Sequence, residues 1–383
     1  MRIAFVDPID FDFNVETPYR EPLGGSQSAT CYLAKALARR GHQVYTWTGT
    51  AVPGLFRGVR CLQLAKLSSL IPTVTFDAWV ILNAPHWGPW FRTCVPASSK
   101  IVLWLHHAAD QPAVRGLADP SAQHAHDAFV FVSDWQRRQF VATFGILPNR
   151  TYVLRNAIAP AFERIFQDDE NLCDAKDLPP VIAYTSTPFR GLNLLLQLFP
   201  RIQARVPGVR LRVFSSMRVY QVSDGDDERE FGFLYEACRT MHNVEYCGSL
   251  SQPELARELR NVALLAYPNI FPETSCIVAM EAMAAGCLIV TSDLGALAET
   301  TAGFAQLVPM RPGAAGYGTE FVEAVHADLA AFSSLDRGDV EPRLRRQRSF
   351  ILDTCTWDRR AREWETWLQR LGGSVSTEHD AKS

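Results

Sequence analysis

The feature that most constrains the fold is a regular alternation of short, β-rich apolar runs with segments of helical periodicity. Six such runs lie in each half of the chain, and helical patterns separate them. This alternation favours parallel sheets that are covered by helices. The runs predicted as strands are 3–6, 44–47, 78–82, 101–105, 129–132, 152–154, 181–184, 209–214, 244–246, 263–266, 288–291 and 306–308.

A change in amino-acid composition divides the chain into two halves. The stretch 155–180 is polar and bounded by prolines, and it is interpreted as a linker. The halves are predicted as two α/β domains, 1–160 and 178–352. Because ligands of open parallel sheets bind outside the carboxyl ends of the strands, we expect both domains to face a central cleft.

The last helical pattern, 356–371, has a dense apolar face that needs a partner surface, and we expect it to pack back on the N-terminal domain. The residues after it, 372–383, are polar and expected to be disordered. The apolar face consists of Trp357, Trp364, Trp367 and Leu368.

Composition excludes several classes of protein. A hydrophobic content of 47% and a charged content of 21% are those of an ordinary globular chain, and a net charge of −3 gives no electrostatic footprint for nucleic acid. The nine cysteines include no C-x-x-C pair, which indicates reduced thiols rather than a disulfide frame or a zinc site. Neither a signal-peptide pattern nor an apolar run of membrane-spanning length is evident. We therefore expect a cytoplasmic protein, and peripheral contact with the inner face of the membrane is left open.

The stretch FPETSCIVAMEAMAAG, residues 271–286, places Glu273 and Glu281 in apolar surroundings. Carboxylates are rarely buried without a partner, so either both are solvated on a capped surface helix or a ligand contacts them. A helix is predicted to begin near Ser275, with Thr274 or Ser275 as its N-cap. Its N-terminus would attract an anion, and the two carboxylates would lie about 12 Å apart. The pattern predicts an elongated ligand with hydroxyls at both ends and an anionic middle.

This stretch resembles the Glu-x7-Glu signature of the retaining glycosyltransferases with the GT-B fold, family 4 in particular. The resemblance implies two Rossmann-like domains, a nucleotide diphosphate sugar as donor, and a saccharide, lipid-linked glycan or protein-linked glycan as acceptor. It also implies that Glu273 contacts the sugar hydroxyls and Glu281 the ribose hydroxyls. The residues that would lie near the donor phosphate and sugar are Ser275, Cys276, Ile277 and Val278.

A second segment, YTSTPFRGLNLLLQLFP (184–200), resembles the phosphate-binding loop of the same family. Arg190 begins its helix, and a guanidinium can bind phosphate oxygens in a bidentate manner. The family usually carries an earlier Arg and a Lys before the Gly, and this chain departs from both. Arg190 would therefore hold the diphosphate with help from the hydroxyls of Ser186 or Thr187.

Two glycine-containing segments add weaker resemblances. Gly24 and Gly25 do not fit the dinucleotide fingerprint, but they resemble the glycine loop that approaches the donor phosphate and the acceptor. Gly248, in VEYCGSLSQPEL, resembles the segment that holds the nucleobase through main-chain groups.

Histidines follow two predicted strands. By resemblance, His106 matches the active-site histidine that contacts the donor sugar, whereas a lone histidine is otherwise structural. His107 is its neighbour, and His86 is a weaker candidate for the acceptor side. His124 and His126 suggest a metal site, but no carboxylate stands at ligand spacing, so no metal is expected.

The sequence therefore predicts a metal-independent, retaining hexosyltransferase that needs no cofactor besides its donor substrate. Its catalytic residues would be His106, Arg190 and Glu273. Two alternatives stay open. A sugar-nucleotide 2-epimerase would form product without an acceptor, and a non-catalytic sugar-nucleotide-binding protein would form none.

Overall fold

The structure is a computed structural model that describes residues 1–311, 316–334 and 338–373. The chain divides into two compact units. The first consists of Met1–Thr17, Gly25–Asn156 and Trp357–Ser383, and the second of Pro18–Gly24 and Ala157–Thr356. The domain bounds predicted from the sequence stay predictions, because compactness alone does not show independent folding. The predicted disordered tail lies, from residue 374 on, outside the described residues.

The first unit is built on an eight-stranded sheet. Its strands are β1 (Arg2–Val6), β2 (Gln43–Thr48), β3 (Gly54–Phe56), β4 (Val59–Gln63), β5 (Ala78–Leu82), β6 (Lys100–Leu105), β7 (Ala128–Phe131) and β8 (Thr151–Val153). Their order is β3-β4-β2-β1-β5-β6-β7-β8, and only the β3–β4 pair is antiparallel. β5 and β7 are buried along their whole length, as expected for parallel strands that are covered on both faces. The helices are α1 (Gly25–Arg39), α2 (Leu67–Leu70), α3 (Gly88–Cys94), α4 (Pro120–Ala125) and α5 (Asp134–Phe144).

The sequence does not predict the β3–β4 hairpin. Its two-residue turn places Arg57 and Gly58 at φ values of 49° and 82°. Such turns usually carry Asn-Gly or Asp-Gly, so an arginine at the first position gives no turn signal. The Arg57 guanidinium binds both carboxylate oxygens of Glu16, which holds the turn in place.

The second unit contains a six-stranded, entirely parallel sheet in the order β11-β10-β9-β12-β13-β14. Its strands are β9 (Val181–Tyr184), β10 (Arg210–Val213), β11 (Val244–Tyr246), β12 (Leu264–Tyr267), β13 (Leu288–Ser292) and β14 (Gln306–Val308). All twelve predicted strands are therefore confirmed. The helices are α6 (Leu192–Arg205), α7 (Asp224–Thr240), α8 (Gln252–Leu259), α9 (Ile277–Ala284), α10 (Leu297–Thr301), α11 (Tyr317–Ser333) and α12 (Val340–Thr354).

Most of the stretch 155–180 belongs to the second unit and packs on it, so its interpretation as a linker is wrong. Phe162 is fully buried. The buried Lys176 ammonium donates to the carbonyl oxygens of Arg260 and Ala285 at 2.9 and 2.6 Å. These carbonyls follow α8 and α9, where helical C=O groups lack partners. The polar composition therefore reflects a segment that caps helices.

The last helix, α13 (Trp357–Gly373), belongs to the first unit and packs against α1. The Trp364 ring lies 5.0 Å from that of Trp104 in β6, between ring centroids. At the helix surface, the Arg40 Nε–H donates to Glu365 at 2.7 Å. Of the helices in the described ranges, none is both long and apolar enough to cross a bilayer.

Candidate active site

A buried carboxylate lies at the carboxyl edge of the second sheet. Glu273 follows β12 and is 6% exposed. Its Oε1 accepts hydrogen bonds from Arg190 Nη1 at 2.7 Å and from the Tyr267 hydroxyl at 2.6 Å. Its Oε2 accepts none from any described residue. One oxygen therefore fixes the carboxylate, and the other is left for a ligand.

Arg190 ends the short 3-10 helix Pro188–Arg190, just after β9. Besides Glu273, its guanidinium binds the Tyr220 hydroxyl through Nη2 at 3.3 Å and lies 4.5 Å from the centre of the Phe271 ring. Burial acts to lower the pKa of Arg190, but the charge and hydrogen bond of Glu273, together with Tyr220 and Tyr267, raise it by more, so the pKa lies well above its ordinary value. Nε–H has no partner among the described residues. The residue is thus a permanent cation with an unused donor.

Close backbone approach brings the loops after β9 and β12 together. Gly191 has a φ of 132°, and a Cβ atom there would lie 2.3 Å from the carbonyl oxygen of Pro268. The Ser186 hydroxyl lies 3.3 Å from that of Tyr267. Three predicted site residues, Ser186, Arg190 and Glu273, therefore form one network through Tyr267.

The helix after Glu273 begins later than predicted. α9 starts at Ile277 and its N-cap is Cys276, without a side-chain capping bond, so Thr274 and Ser275 are not the cap. Glu273 therefore lies in a loop, and the 12 Å spacing of an unbroken helix does not apply. The loop is fixed instead by the Ala296 N–H, which donates to the Glu273 carbonyl at 2.6 Å.

Glu281 lies within α9, is 2% exposed and has no cationic partner among the described residues. Its Oε1 accepts from the backbone N–H of Ala159 at 3.1 Å. In the amide orientation that satisfies both groups, Gln252 donates to the two carboxylate oxygens at 3.1 and 3.3 Å. Burial raises the pKa of Glu281 to about 8, although the Ala159 N–H opposes this. The two glutamates thus occupy different environments.

The segment after β11 is joined to the segment after β10. Gly248 has a φ of 66°, and a Cβ atom there would meet nothing within 4 Å. The hydroxyls of Ser249 and Ser216 are 2.7 Å apart, and the Tyr246 hydroxyl donates to the Ser215 carbonyl at 2.9 Å. This part of the second unit therefore offers an open backbone turn with adjacent hydroxyls.

In the first unit, His106 follows β6 and is 8% exposed. Its backbone N–H donates to Asn83 Oδ1 at 2.7 Å, and its ring lies 4.5 Å from that of Trp104, between ring centroids. Burial lowers the pKa of His106 to about 3, His107 adds to the effect, and Asn156 opposes it. The imidazole is therefore neutral at physiological pH. Gly25 begins α1 in this unit, whereas Gly24 belongs to the second unit.

Sequence reasoning misses several residues that shape these sites. Tyr267 and Gln252 contact the two glutamates, and Asn83, at a φ of 49°, holds the His106 turn. Asp7, at the end of β1, accepts from Gln27 at 2.8 Å, and burial raises its pKa to about 6. A polar residue that ends a buried strand is the one signal shared by Tyr267 and Asp7.

No group of three metal-ligating side chains is arranged to hold an ion within the described ranges. The His126 ring packs against Gly88, where a Cβ atom would lie 2.3 Å away, and its Nδ1 is 2.7 Å from the Ala122 carbonyl. These contacts make His126 part of the packing of the first unit.

Comparison with known proteins shows the family to which the chain belongs. Residues 178–306 match the family model of glycosyl transferases group 1. The chain is 30% identical to a phosphatidyl-myo-inositol mannosyltransferase of Mycobacterium tuberculosis over 77% of its own length and 79% of the relative's. The chain therefore belongs to the group 1 family of glycosyltransferases.

Solved structures show the fold. A glycosyltransferase from Rickettsia africae superimposes with a TM-score of 0.70 at 14% identity, over 97% of this chain and 98% of that one. The Anabaena protein HepE in complex with UDP-glucose gives 0.68 at 14% identity, over 97% and 100%. The fold is the two-domain α/β architecture of the GT-B glycosyltransferases, as the sequence predicts.

Replacing Gly295 by alanine should displace the Glu273 loop. Gly295 has a φ of 65°, and its added Cβ would lie 2.3 Å from the carbonyl oxygen of Glu273. A shift of about 1 Å at a reacting group can reduce the rate about 100-fold, and we expect a loss of that order in sugar transfer. Steady-state kinetics measure it.

Gly303→Ala is the matched control. Gly303 also has a positive φ, 84°, but a Cβ there meets nothing within 4 Å. It should lose about 1 kcal/mol of stability from backbone strain and keep its activity. Equal activities of the two variants would contradict the proposed contact.

The pKa of Glu281 predicts a pH-dependent stability difference between the protein and Glu281→Gln. The folded value of about 8 lies above the ordinary 4.5, so the unfolded chain ionises first and the folded state loses stability as pH rises through this window. Glu281→Gln does not undergo this loss. As pH rises, its free energy of unfolding should therefore increase relative to that of the unmodified protein, by at most about 1.4 kcal/mol per pH unit. Denaturant unfolding at pH 5, 6, 7 and 8 measures it. Glu230→Gln, an exposed control, should follow the unmodified protein, and parallel curves for Glu281→Gln would refute the shift.

Proposed function

We propose that the chain transfers a sugar from a nucleoside diphosphate sugar to a saccharide or glycoconjugate acceptor, with retention of configuration and without a metal ion. The observation that carries the proposal is the Arg190–Glu273 pair at the carboxyl edge of the second sheet. It combines a fixed cation with a carboxylate that has one unused oxygen. This combination suits a ligand with an anionic group beside a hydroxyl-rich group.

The diphosphate would bind between Arg190 and the start of α9. The guanidinium keeps an unused Nε–H, and the backbone amides of Ile277 and Val278 open an eight-residue helix. The first N–H groups of a helix lack intrahelical partners and attract anions. These groups would neutralise the charge that a bound metal neutralises in other enzymes.

The hydroxyl groups of the donor would bind the two glutamates. Glu273 would accept from the sugar through Oε2, and Glu281 from the ribose. Because Glu281 is buried and its pKa is about 8, it would bind ribose either as a carboxylate that replaces the Gln252 contact or as a neutral acid that donates one bond. Gly248 and its neighbours would contact the base through main-chain groups.

The reaction would break the bond between the anomeric carbon and the β-phosphate oxygen and form a bond from that carbon to the acceptor oxygen on the same face. The proton of the acceptor hydroxyl would pass to the leaving phosphate. His106 would contact the donor sugar as a neutral hydrogen-bonding group, since its pKa is about 3. No protein nucleophile is required.

Two comparisons indicate which substrates to test first. A relative is named for mannosyl transfer to phosphatidyl-myo-inositol, and a protein of the same fold has been solved with UDP-glucose. Lipid-linked acceptors, UDP-glucose and mannosyl donors are therefore the first candidates. A lipid-linked acceptor would require the protein to approach a membrane surface.

A transfer screen tests the proposal. Sugar nucleotides are incubated with saccharide, lipid-linked and protein-linked acceptors, with and without excess EDTA, and the anomeric configuration of the product is read by NMR. We expect transfer with retention at an undiminished rate in EDTA. Product formed without acceptor would indicate an epimerase, and binding without turnover a non-catalytic protein. Strict dependence on magnesium or manganese would refute metal independence.

Arg190→Ala should strongly reduce turnover. Negative charge builds on the diphosphate as the sugar bond breaks, so a fixed cation acts mainly in the transition state. We expect kcat to fall about 10²–10³-fold, or roughly 3–4 kcal/mol. Arg190→Lys should recover part of this, because a point charge cannot reproduce the planar guanidinium. The substitution to alanine should also reduce stability, since Glu273 loses its cation.

Arg229→Ala is the control for a lost positive charge on the same unit. Arg229 is exposed and pairs only with Asp226 among the residues that the structure describes. Its kcat should equal that of the unmodified protein. If Arg190→Ala retained normal kcat, another cation would have to bind the phosphate, and Arg218 would be tested next.

A further inference from the structure

Tyr267 is a buried phenol at the end of β12 that the family resemblance does not assign. It is fully buried, and its ring packs edge-on against Tyr184 at 5.8 Å. Its hydroxyl lies 2.6 Å from Glu273 Oε1 and 3.3 Å from the Ser186 hydroxyl. A polar atom in this position needs partners, and both partners belong to loops of the candidate site.

The direction of these hydrogen bonds follows from the groups involved. An ionised carboxylate only accepts, so the single O–H of Tyr267 points at Glu273. The Ser186 hydroxyl must then donate to the Tyr267 oxygen. Burial raises the pKa of Tyr267 well above its ordinary value, and the charge of Glu273 adds to this, so the phenol keeps its proton. The hydrogen bonds are therefore donated in one direction, from Ser186 to Tyr267 and from Tyr267 to Glu273.

Tyr267 and Arg190 bind the same oxygen of Glu273. A diphosphate would compete for the guanidinium, because it carries more negative charge than the carboxylate. If the guanidinium turned toward the phosphate beyond what its unused Nε–H reaches, Glu273 would lose its strongest partner while it had to stay in place for the sugar. Tyr267 cannot turn in this way, since its ring is enclosed and its hydroxyl has one donor.

We propose that Tyr267 is a positioning residue that holds Glu273 by Oε1 and presents Oε2 to a sugar hydroxyl while Arg190 binds the diphosphate. This inference rests on the proposed function. The two groups have different roles: the guanidinium of Arg190 supplies positive charge for the diphosphate, and the phenol of Tyr267 orients the Glu273 carboxylate. Because orientation concerns the sugar alone, the loss of Tyr267 affects the sugar and leaves the binding of the nucleotide part unchanged.

Tyr267→Phe removes one oxygen atom and keeps the ring, so it tests the phenol without opening a cavity. The probes are UDP-glucose and GDP-mannose, with UDP and GDP as sugar-free references, and isothermal calorimetry gives each Kd. We expect unchanged Kd for UDP or GDP. For turnover with the donor that the transfer screen selects, we expect a kcat about 10- to 100-fold lower, as for one hydrogen bond to a charged group.

Tyr317→Phe is the matched control, since Tyr317 is a largely buried tyrosine of the same unit outside the site and its hydroxyl has no partner among the described residues. It should leave kcat and every Kd unchanged. A kcat of Tyr267→Phe equal to that of the control would overturn the proposal. The proposal would also be overturned if Tyr267→Phe weakened the binding of UDP or GDP by as large a factor as it lowered kcat, because that would show a general disturbance of the site.

A double-mutant cycle with Glu273→Ala separates positioning from packing. If Tyr267 acts through Glu273, the ratio of Kd for the sugar nucleotide to Kd for the free nucleotide changes on Tyr267→Phe only while Glu273 is present. An equal change in the Glu273→Ala background would refute the proposal and leave the proposed function intact. If the unmodified protein bound neither free nucleotide nor sugar nucleotide, the proposed function itself would fail, and this inference with it.

Discussion

The arrangement of the second unit depends on one constraint: a carboxylate that is 6% exposed must receive hydrogen bonds from its surroundings. The donors to Glu273 come from the loop after β9 and from the end of β12, and a third loop, after β13, fixes its backbone through Ala296. These loops meet because all strands of the sheet are parallel, so their carboxyl ends share one edge. The position of the site therefore follows from the parallel direction of the strands. The close approach of Gly191 to Pro268 brings the loops after β9 and β12 near enough for Arg190 to bind Glu273.

The two glutamates have similar sequence surroundings but different electrostatic environments. Glu273 lies beside a guanidinium, whereas the partners of Glu281 among the described residues are the Ala159 N–H and the Gln252 amide, and its pKa is about 8. Donors of neutral hydrogen bonds do not compensate the loss of hydration as a cation does. A ligand with hydroxyls would thus meet a carboxylate paired with a cation at one end, and at the other a buried carboxyl group with a raised pKa.

Sequence periodicity places twelve of the fourteen strands in the described residues, and it does so best where burial on both faces imposes a continuous apolar run, as in β5 and β7. It misses β3 and β4, which are short and joined by a turn without a turn signal. The two buried glutamates, Glu273 and Glu281, can also be singled out from the sequence, since carboxylates in apolar surroundings require an explanation. What the sequence cannot supply is the partner of each charge. Tyr267 looks like one more apolar residue of β12, and Lys176 like a residue of a polar linker, until the fold brings them to a carboxylate and to helix carbonyls. The helix start was misplaced for the same reason, because the loop from Glu273 is held by a contact with Ala296, 23 residues away.

The neutral state of His106 bears on how charge would be divided in the proposed reaction. Enclosed beside Trp104 and held by Asn83, it has a pKa of about 3 and would have to be protonated at great cost to act as a cation. In the proposed reaction it would therefore orient a hydroxyl and would not stabilise a leaving diphosphate. That charge would fall to Arg190 and to the first amides of α9, both in the second unit. An enzyme of this design would keep its cation fixed beside a carboxylate and release it to the substrate, so the carboxylate needs a second, uncharged partner. In this chain the fold supplies one at the end of β12.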